Sequence, residues 1–502
     1  MVQRMGDQEV EKRAVGQADD EGWCAVLLAS GEALTCVFDL GRGYTCLGQV
    51  EVEGAQGGEQ VVISYSEKLA GDEPYLSDPE TYCRVRMTDR YHLAAGNQQV
   101  EPFWMRGGRI LIFQVVGPTG PGFRIRLGAR AAEYPLEVTR PLSSDDPLLN
   151  GVLRLCENTL RSCLHETFVD NPWRENAQWI GDPTVNALVM SAISDDTRPL
   201  RTIVEMAAQG AYPDGVLPGV VPGEAHAYTV VDFNFQWVEL LHTYWRLTGD
   251  TSFVNSMWQT LTRMLDRFAQ DVTDDGLIHS QLGRRLFLDW APISKNEPNA
   301  IYNLHYVLAL QLAVELAAEV RSQRSEVGDA EVWHHGAVDG ADVEVGWRER
   351  AVTVQAASRR AFWLDGRWYD DLQRSTSSQL ATALAILTRT TEPAEEPALL
   401  DALAARSLNP SDDPIPGDLV LASPYMHHRV FEALRHSGRT QEVIDIIRLR
   451  WGRWVEAGYP TAWENWNVDF PDGSQCHGYA AHPLYHLAQI ATAHPSFLPS
   501  QE

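Results

Sequence analysis

Hydrophobic and polar positions follow two rhythms along this chain. Between about residues 23 and 140 the runs are short and alternate, as in "ALTCVFDLG", "QVVISYSEKL", "ILIFQVVG" and "GFRIRLGARAAEY", with Gly, Asn and Pro between them. A period of two with β-branched and aromatic residues predicts an antiparallel β-sandwich or jelly roll. After "PLSSDDPLLN" the period lengthens. "DPLLNGVLRLCENTLRSCLHET" places apolar residues three and four apart behind an Asp-Pro start, the pattern of a helix N-terminus. Eleven more helical segments follow near 180–193, 197–209, 232–248, 252–271, 299–321, 347–363, 376–391, 396–406, 424–437, 439–453 and 477–492. Twelve helices suit either six hairpins closed into an (α/α)6 barrel or an open solenoid. No repeat of 33–47 residues recurs, and long loops near 272–298 and 408–423 interrupt the series, so the barrel is the better reading.

The expected layout is therefore a disordered segment at 1–22, a β-sandwich at 23–140, an (α/α)6 domain at 141–495 and a tail at 496–502. The stretch "RSQRSEVGDAEVWHHGAVDGADVEVG" reads as a solvated insertion between the sixth and seventh helices. Its His334–His335 pair reads as surface rather than metal ligand, for want of a third ligand at suitable spacing.

Composition narrows the partners. Among 502 residues, 68 acids against 41 bases give a formal charge of −27, which disfavours nucleic acid and anionic membranes. The seven cysteines form no C-x-x-C pair, so zinc-knuckle and thioredoxin-type readings lack support, and reduced thiols in a reducing compartment are expected. No apolar leader and no uninterrupted apolar run of about eighteen residues stands out, which points to a cytoplasmic protein. Oligomeric state is left open.

The motifs of serine hydrolases, P-loops and zincins (G-x-S-x-G, G-x-x-x-x-G-K-[ST], H-E-x-x-H) are absent, and "GRGYTCLG" reads as a turn. Two stretches instead embed carboxylates among aromatics. "FVDNPWRENAQWIGDP" holds Asp170, Glu175, Trp179 and Asp182; "GYPTAWENWNVDFPDGSQCHGYAAHPLYHL" holds Trp463, Glu464, Asp469, Asp472 and His477. A carboxyl beside indole faces loses solvation, which raises its pKa and suits it to proton transfer. Aromatic faces stack on sugar rings, carboxylates accept from hydroxyls, and two carboxyls flanking a glycosidic bond are the minimum for hydrolysis. Each acid alone also has a structural reading: Asp170 turns the chain before Pro172, Arg174 pairs with Glu175, Asp182 caps the next helix. Trp179 or Trp463 alone reads as core, and His477 as a helix-start histidine. Finding two such clusters favours a carbohydrate site.

"DNPWRENAQWIGD", Asp170 to Asp182, resembles the D-x-P-x-x-E-x-x-x-[WY]-x-G-D signature of the α-L-rhamnosidases of glycoside hydrolase family 78. "PTAWENWN" is similar to that family's T-T-x-W-E-R-W-[DN] segment and "SQCHGYA" to its S-x-x-H segment. Weaker likenesses are "VFDLG", "YSEKL" with Glu67, "VVDFNFQWVELLHTYWRLTGD" with Asp232, and "LFLDWAPI" with Asp289 and Trp290. The resemblance implies an (α/α)6 barrel behind β-sandwich modules, and hydrolysis of a small glycoside or oligosaccharide with inversion. By position it implies Glu175 as general acid and Glu464 as general base. Asp170, Asp182, Trp179, Asp232, Asp289, Trp290, Trp463 and His477 would bind the sugar, with no cofactor and no catalytic metal. The chain departs from the commoner pattern at Asn176 and Asn465, where many relatives carry arginine, and is expected to be a minimal member without the usual C-terminal β-domain. A different terminal sugar, or a catalytically silent sugar-binding relative, remains open.

Overall fold

The computed structural model describes residues 20–67, 69–70, 73–74, 87–222, 230–281, 284–327, 340–467 and 473–491. His334, His335, Asp469, Asp472 and the chain ends at 1–19 and 492–502 lie outside that range. Nine strands come first: β1 (Cys24–Ala25), β2 (Ala33–Ala55), β3 (Gln60–Ser66), β4 (Leu69–Ala70), β5 (Glu73–Pro74), β6 (Thr88–His92), β7 (Gly96–Val100), β8 (Arg106–Val116) and β9 (Arg124–Ala131). Seven form one antiparallel sheet in the order β1-β9-β2-β8-β3-β6, with β7 also on β2; β4 and β5 pair with each other.

Two separate sheets are what the alternation predicts, and the structure joins them through β2. That strand is 23 residues long and its register shifts between Asp39 and Tyr44. Ahead of the shift it pairs with β8 alone; from Cys46 onwards it pairs with β9 and then β7. A bulge bends a strand and increases its twist, so the sheet wraps round one core. Val50, Val52, Ile63, Tyr65, Phe113 and Phe123 fill that core. Gly48 of β2 faces Tyr65 of β3, donating its N–H to the phenol oxygen at 2.9 Å, where a Cβ would approach that oxygen to 2.8 Å.

The helices follow as the longer period predicts: α1 (Pro147–Ser162), α2 (Pro183–Ile193), α3 (Arg198–Gln209), α4 (Phe233–Thr248), α5 (Thr251–Ala269), α6 (Ala300–Val327), α7 (Gly340–Phe362), α8 (Gln379–Leu387), α9 (Glu396–Leu408), α10 (His427–His436), α11 (Thr440–Arg450), α12 (Gly452–Glu456) and α13 (Pro483–Ala491). A two-stranded hairpin, β10 (Trp363–Leu364) and β11 (Arg367–Trp368), follows α7. Local signals set the ends. Asp146 caps α1 by accepting from Leu148 N–H at 2.8 Å, ahead of Pro147, and Gly249 ends α4 at φ 67°. One predicted segment divides into α11 and α12.

The expected insertion is the main correction. α6 and α7 extend into it from both sides, because charged positions there carry helix without an apolar stripe. Glu344 ties the two helices by pairing with Arg321 of α6 at 2.6 Å and Arg348 of α7 at 2.7 Å.

α2 packs on α4, α4 on α6, α6 on α8 and α8 on α10, while α13 packs on α2. Phe431 and His428 of α10 meet His486 of α13, which joins those two. α6 is the one helix among the described residues long and apolar enough to cross a membrane, and 72% of its apolar window is buried inside the protein. Residues just before or at the N-termini of α2, α4, α10 and α13 line one cleft, and residues towards the opposite ends of these six inner helices line a cavity of about 850 Å³.

The sheet seats against the cleft end. Gly107 of β8 abuts the Pro172 carbonyl so closely that a Cβ would lie 1.6 Å from it. Trp173 Nε1 donates to Tyr65 O at 3.0 Å, Ser162 Oγ donates to Gly43 O at 2.6 Å, and His165 Nε2 meets Thr45 Oγ1 at 2.6 Å. Burial lowers the His165 pKa to about 4. Between that value and about 6.5 the unfolded chain binds the extra proton, so this histidine's contribution is present above pH 6.5 and is lost as pH falls towards 4. His165→Gln should therefore shrink the drop in unfolding free energy between pH 7.5 and pH 5 by about 2 kcal/mol. Urea denaturation of both proteins at the two pH values measures it, and an unchanged difference contradicts it.

Candidate active site

Two loops build the cleft. In the first, Asp170 and Ala177 exchange hydrogen bonds: Asp170 N–H donates to Ala177 O at 3.0 Å and Ala177 N–H to Asp170 Oδ1 at 2.9 Å. Asn171 Oδ1 accepts from Trp173 N–H at 3.1 Å and Glu175 N–H at 3.3 Å, which turns the chain so that Glu175 sits near the tip. Asn176 completes the turn at φ 49°, a left-handed conformation that asparagine tolerates better than most residues. Trp179 Nε1 donates to Glu175 Oε2 at 2.8 Å.

The second loop carries Glu464. Its N–H donates to Ser474 O at 2.9 Å, and Ser474 N–H donates to Glu464 Oε2 at 2.8 Å. Tyr479 OH donates to Glu464 O at 3.1 Å. Gly478 N–H donates to Asp170 O at 2.8 Å and ties the loops together.

Arg174 spans the two acids. One guanidinium nitrogen donates to Glu175 Oε1 at 2.7 Å; the other donates to Glu464 Oε1 at 2.7 Å and Oε2 at 2.6 Å. Arg174 and Glu464 are buried, whereas 18% of the Glu175 side chain is exposed. Sharing one planar guanidinium keeps the nearest carboxylate oxygens within roughly 8 Å of each other. Carboxyls about 6.5–9.5 Å apart leave room for a water between acid and base.

Asp170, Asp182 and His477 form one wall. His477 Nδ1 lies 3.5 Å from Asp182 Oδ1, and its Nε2 lies 3.9 Å from Asp170 Oδ2. Burial, then the charges of Glu175 and Asp182, push the Asp170 pKa well above the carboxylate range. Burial and Glu175 do the same to Asp182. Burial lowers the His477 pKa to about 3, so its imidazole is neutral at ordinary pH. Asp182 Oδ1 and His477 Nδ1 are buried with no hydrogen-bond partner among the described residues. Leaving such groups unpaired costs about 1–3 kcal/mol each, so a hydroxyl-bearing ligand reaching them would gain that back. Opposite stand aromatic faces. Trp179 meets Phe233 at 6.0 Å, Phe287 meets Trp290 at 5.2 Å, and Tyr425 stacks on Tyr479 at 4.5 Å between ring centres.

Of the residues singled out in the sequence, Glu175, Glu464, Asp170, Asp182, Trp179, Trp290 and His477 line this cleft. Asp232, Asp289 and Trp463 are not among its lining residues and support those that are. Asp232 accepts from the N–H groups of Phe287 and Leu288, both at 2.9 Å. Asp289 accepts from Trp290 N–H at 2.7 Å and Ser423 N–H at 3.0 Å. Both carboxylates thus hold the loop that presents Phe287 and Trp290. Trp463 is buried against Trp454 and Tyr459. The structural readings also hold in part: Arg174 does pair with Glu175, and Asp182 does precede α2, though its side chain makes no capping bond. Sequence reasoning missed the second partner of Arg174 and the wall residues Phe233, Arg285, Phe287, Tyr425 and Tyr479. Phe233, Phe287 and Tyr479 lie inside stretches already singled out; nothing local marks Tyr425 or Arg285.

Among the described residues, His428, His482 and His486 bring possible metal-binding atoms within 4.8 Å of one another. They are away from the cleft, and His428 Nδ1 already shares a hydrogen bond with His486 Nε2 at 3.0 Å.

A family model described as the bacterial alpha-L-rhamnosidase 6 hairpin glycosidase domain matches residues 138–490. Among solved structures, a glycoside hydrolase family 78 rhamnosidase of Bacillus sp. GL1 has a TM-score of 0.78 at 22% identity, covering 92% of this chain and 46% of that one. A rhamnosidase from Klebsiella oxytoca with rhamnose bound has a TM-score of 0.75 at 19% identity, over 92% of this chain and 88% of that one. An α-L-rhamnosidase of Streptomyces avermitilis complexed with L-rhamnose has a TM-score of 0.68 at 18% identity, over 96% and 43%. The chain thus spans about half the length of the Bacillus and Streptomyces proteins, and at these identities the likeness is one of fold. No curated protein sequence matches significantly.

The left-handed turn after Glu175 makes a stability prediction. Asn176→Val should cost about 1 kcal/mol, since a β-branched residue resists that conformation. Asn176→Gly should stay within about 0.5 kcal/mol of the parent. Urea midpoints at constant m-value measure both, and equal midpoints for valine and glycine would remove the backbone explanation.

Proposed function

The chain belongs to the bacterial α-L-rhamnosidase six-hairpin glycosidase family, and on that premise we propose that it is an inverting exo-glycosidase removing terminal α-L-rhamnosyl residues from small glycosides or oligosaccharides. Glu175 is the general acid and Glu464 the general base. The observation that supports this reading is the Arg174 clamp, which holds a partly exposed and a buried glutamate on one guanidinium, close enough to act on the same glycosidic bond.

Glu464 takes a proton from water as its oxygen bonds to the anomeric carbon. The glycosidic C–O bond breaks on the opposite face, and Glu175 supplies the proton that the leaving oxygen needs. Asp170, Asp182 and neutral His477 receive the sugar hydroxyls, and Trp179 and Trp290 cover its apolar faces. The circuit of six inner helices, with the remaining helices outside it, supports an (α/α)6 barrel at 141–495 behind a sandwich-like β-domain at 23–140. Among the described residues, Cys36, Cys46, Cys156, Cys163 and Cys476 are buried thiols outside any disulfide, which favours a reducing compartment such as the cytoplasm.

Release of p-nitrophenol from a panel of aryl glycosides tests the assignment. The α-L-rhamnoside should be cleaved, and Glu175→Ala and Glu464→Ala should each reduce kcat by roughly 10²–10⁴-fold on a substrate that needs the acid. Proton NMR should show the β-anomer of rhamnose first. Cleavage of another sugar alone would replace the substrate, retention would replace the mechanism, and sugar binding without hydrolysis would leave a silent relative.

A further inference from the structure

Glu67 follows the end of β3 in the sheet yet reaches the loop of the proposed base. It is buried, and its carboxylate accepts from Ser474 Oγ at 3.0 and 2.8 Å and from Gln475 N–H at 2.9 Å. Ser474 is the residue whose peptide is paired with Glu464 on both sides, its N–H donating to Oε2 and its carbonyl accepting from the Glu464 N–H. Arg174 fixes the same carboxylate from the other direction. The carboxylate of Glu464 is thus oriented by one contact from the acid's own loop and one from a peptide that the sheet holds.

We propose that Glu67 is a positioning residue for the general base: through Ser474 it sets the direction of Glu464 Oε2, so the β-domain supplies a working part of the glycosidase site. This rests on the catalytic roles proposed above. Oε2 of Glu67 accepts from both Ser474 Oγ–H and Gln475 N–H, bonds that the charge of the carboxylate strengthens and that a neutral glutamine makes more weakly. Glu67→Gln therefore keeps the volume and weakens the anchor. The Ser474 peptide is held less firmly, and its hydrogen bond to Glu464 weakens.

Kinetics of wild type, Glu67→Gln, Ser474→Ala, Glu464→Ala and Ser162→Ala on the cleaved aryl glycoside decide the matter. Ser162 is the control, because its hydroxyl bonds Gly43 O across the same interface. Glu67→Gln and Ser474→Ala should each lower kcat roughly 10- to 100-fold, as displacement of a catalytic group by about 1 Å does, with KM within about twofold. The acidic limb of their kcat/KM profile should move to higher pH, since a lost hydrogen bond to a carboxylate makes it more basic. Ser162→Ala should alter melting temperature alone. If Glu464→Ala is inactive while Glu67→Gln or Ser474→Ala matches wild type in kcat and pH profile, the relay is overturned and the glycosidase reading stands. If Glu464→Ala retains full activity, the proposed mechanism itself falls. A crystal structure of Glu67→Gln reads the same claim without turnover: the Ser474 N–H to Glu464 contact should lengthen beyond hydrogen-bond distance, and an unmoved Glu464 refutes it. Should that variant not fold, Ser474→Ala carries both readouts.

Discussion

Arg174 is the constraint on which the cleft depends. Glu175, Glu464, Asp170 and Asp182 crowd into one small volume, and three of the four are almost fully buried. Carboxyls this close repel when ionised, and burying a single unpaired charge costs several kcal/mol. One planar guanidinium, bonded to Glu175 on one nitrogen and to Glu464 on the other, offsets that repulsion and dictates the spacing of the pair. A lysine could neutralise charge but could not hold two carboxylates in a fixed plane. Burial and the charge of Glu175 push the pKa values of Asp170 and Asp182 upward, so the crowding also favours their protonated forms.

The fold adds a longer-range field. Asp182 stands ahead of α2, Phe233 begins α4, Tyr425 lies just before α10 and Tyr479 shortly before α13, and all four line the cleft. The positive ends of these helix dipoles therefore face the acids, an arrangement worth a fraction of a kcal/mol per helix and favourable to anionic groups at that end. The opposite cavity carries Arg246, Arg389, Arg429 and Arg435 together with Glu239, Glu315 and Glu432, and Arg429 pairs with Glu239 and Glu432 there.

Much of this was legible in the sequence because it is local. Period two and period 3.6 mark the sheet and every predicted helix, since each buries one face. The spacing of Asp170, Glu175, Trp179 and Asp182 marks one wall, and "AWENWN" marks another. What could not be read is tertiary. Arg174 next to Glu175 announces one ion pair, but the second depends on a loop nearly three hundred residues away. Asp232 and Asp289 have the residue type of sugar ligands, yet backbone N–H groups occupy both oxygens of each. The extension of α6 and α7 was hidden for the opposite reason: polar helix exposes no apolar stripe to count. Long β2 escaped because a bulge between Asp39 and Tyr44 breaks its alternation while preserving the strand.

Asn176 joins these points. It is held in a left-handed turn, with its neighbours on both sides bonded back to Asp170 and Asn171, a conformation that asparagine tolerates better than most residues. The charge next to Glu175 is supplied from the other side, by Arg174, and Glu464 is bonded by a peptide that the sheet holds through Glu67. Glu175 is directed by Arg174 and Trp179 of its own loop, whereas Glu464 takes its direction from Arg174 across the cleft and from Ser474. The sheet is part of that arrangement: Gly107 admits Pro172, Tyr65 receives Trp173, and Glu67 receives Ser474, so both loops of the cleft lean on β3 and β8. A helical domain separated from this sheet would keep Arg174 between its two glutamates and lose the Glu67 hold on Ser474.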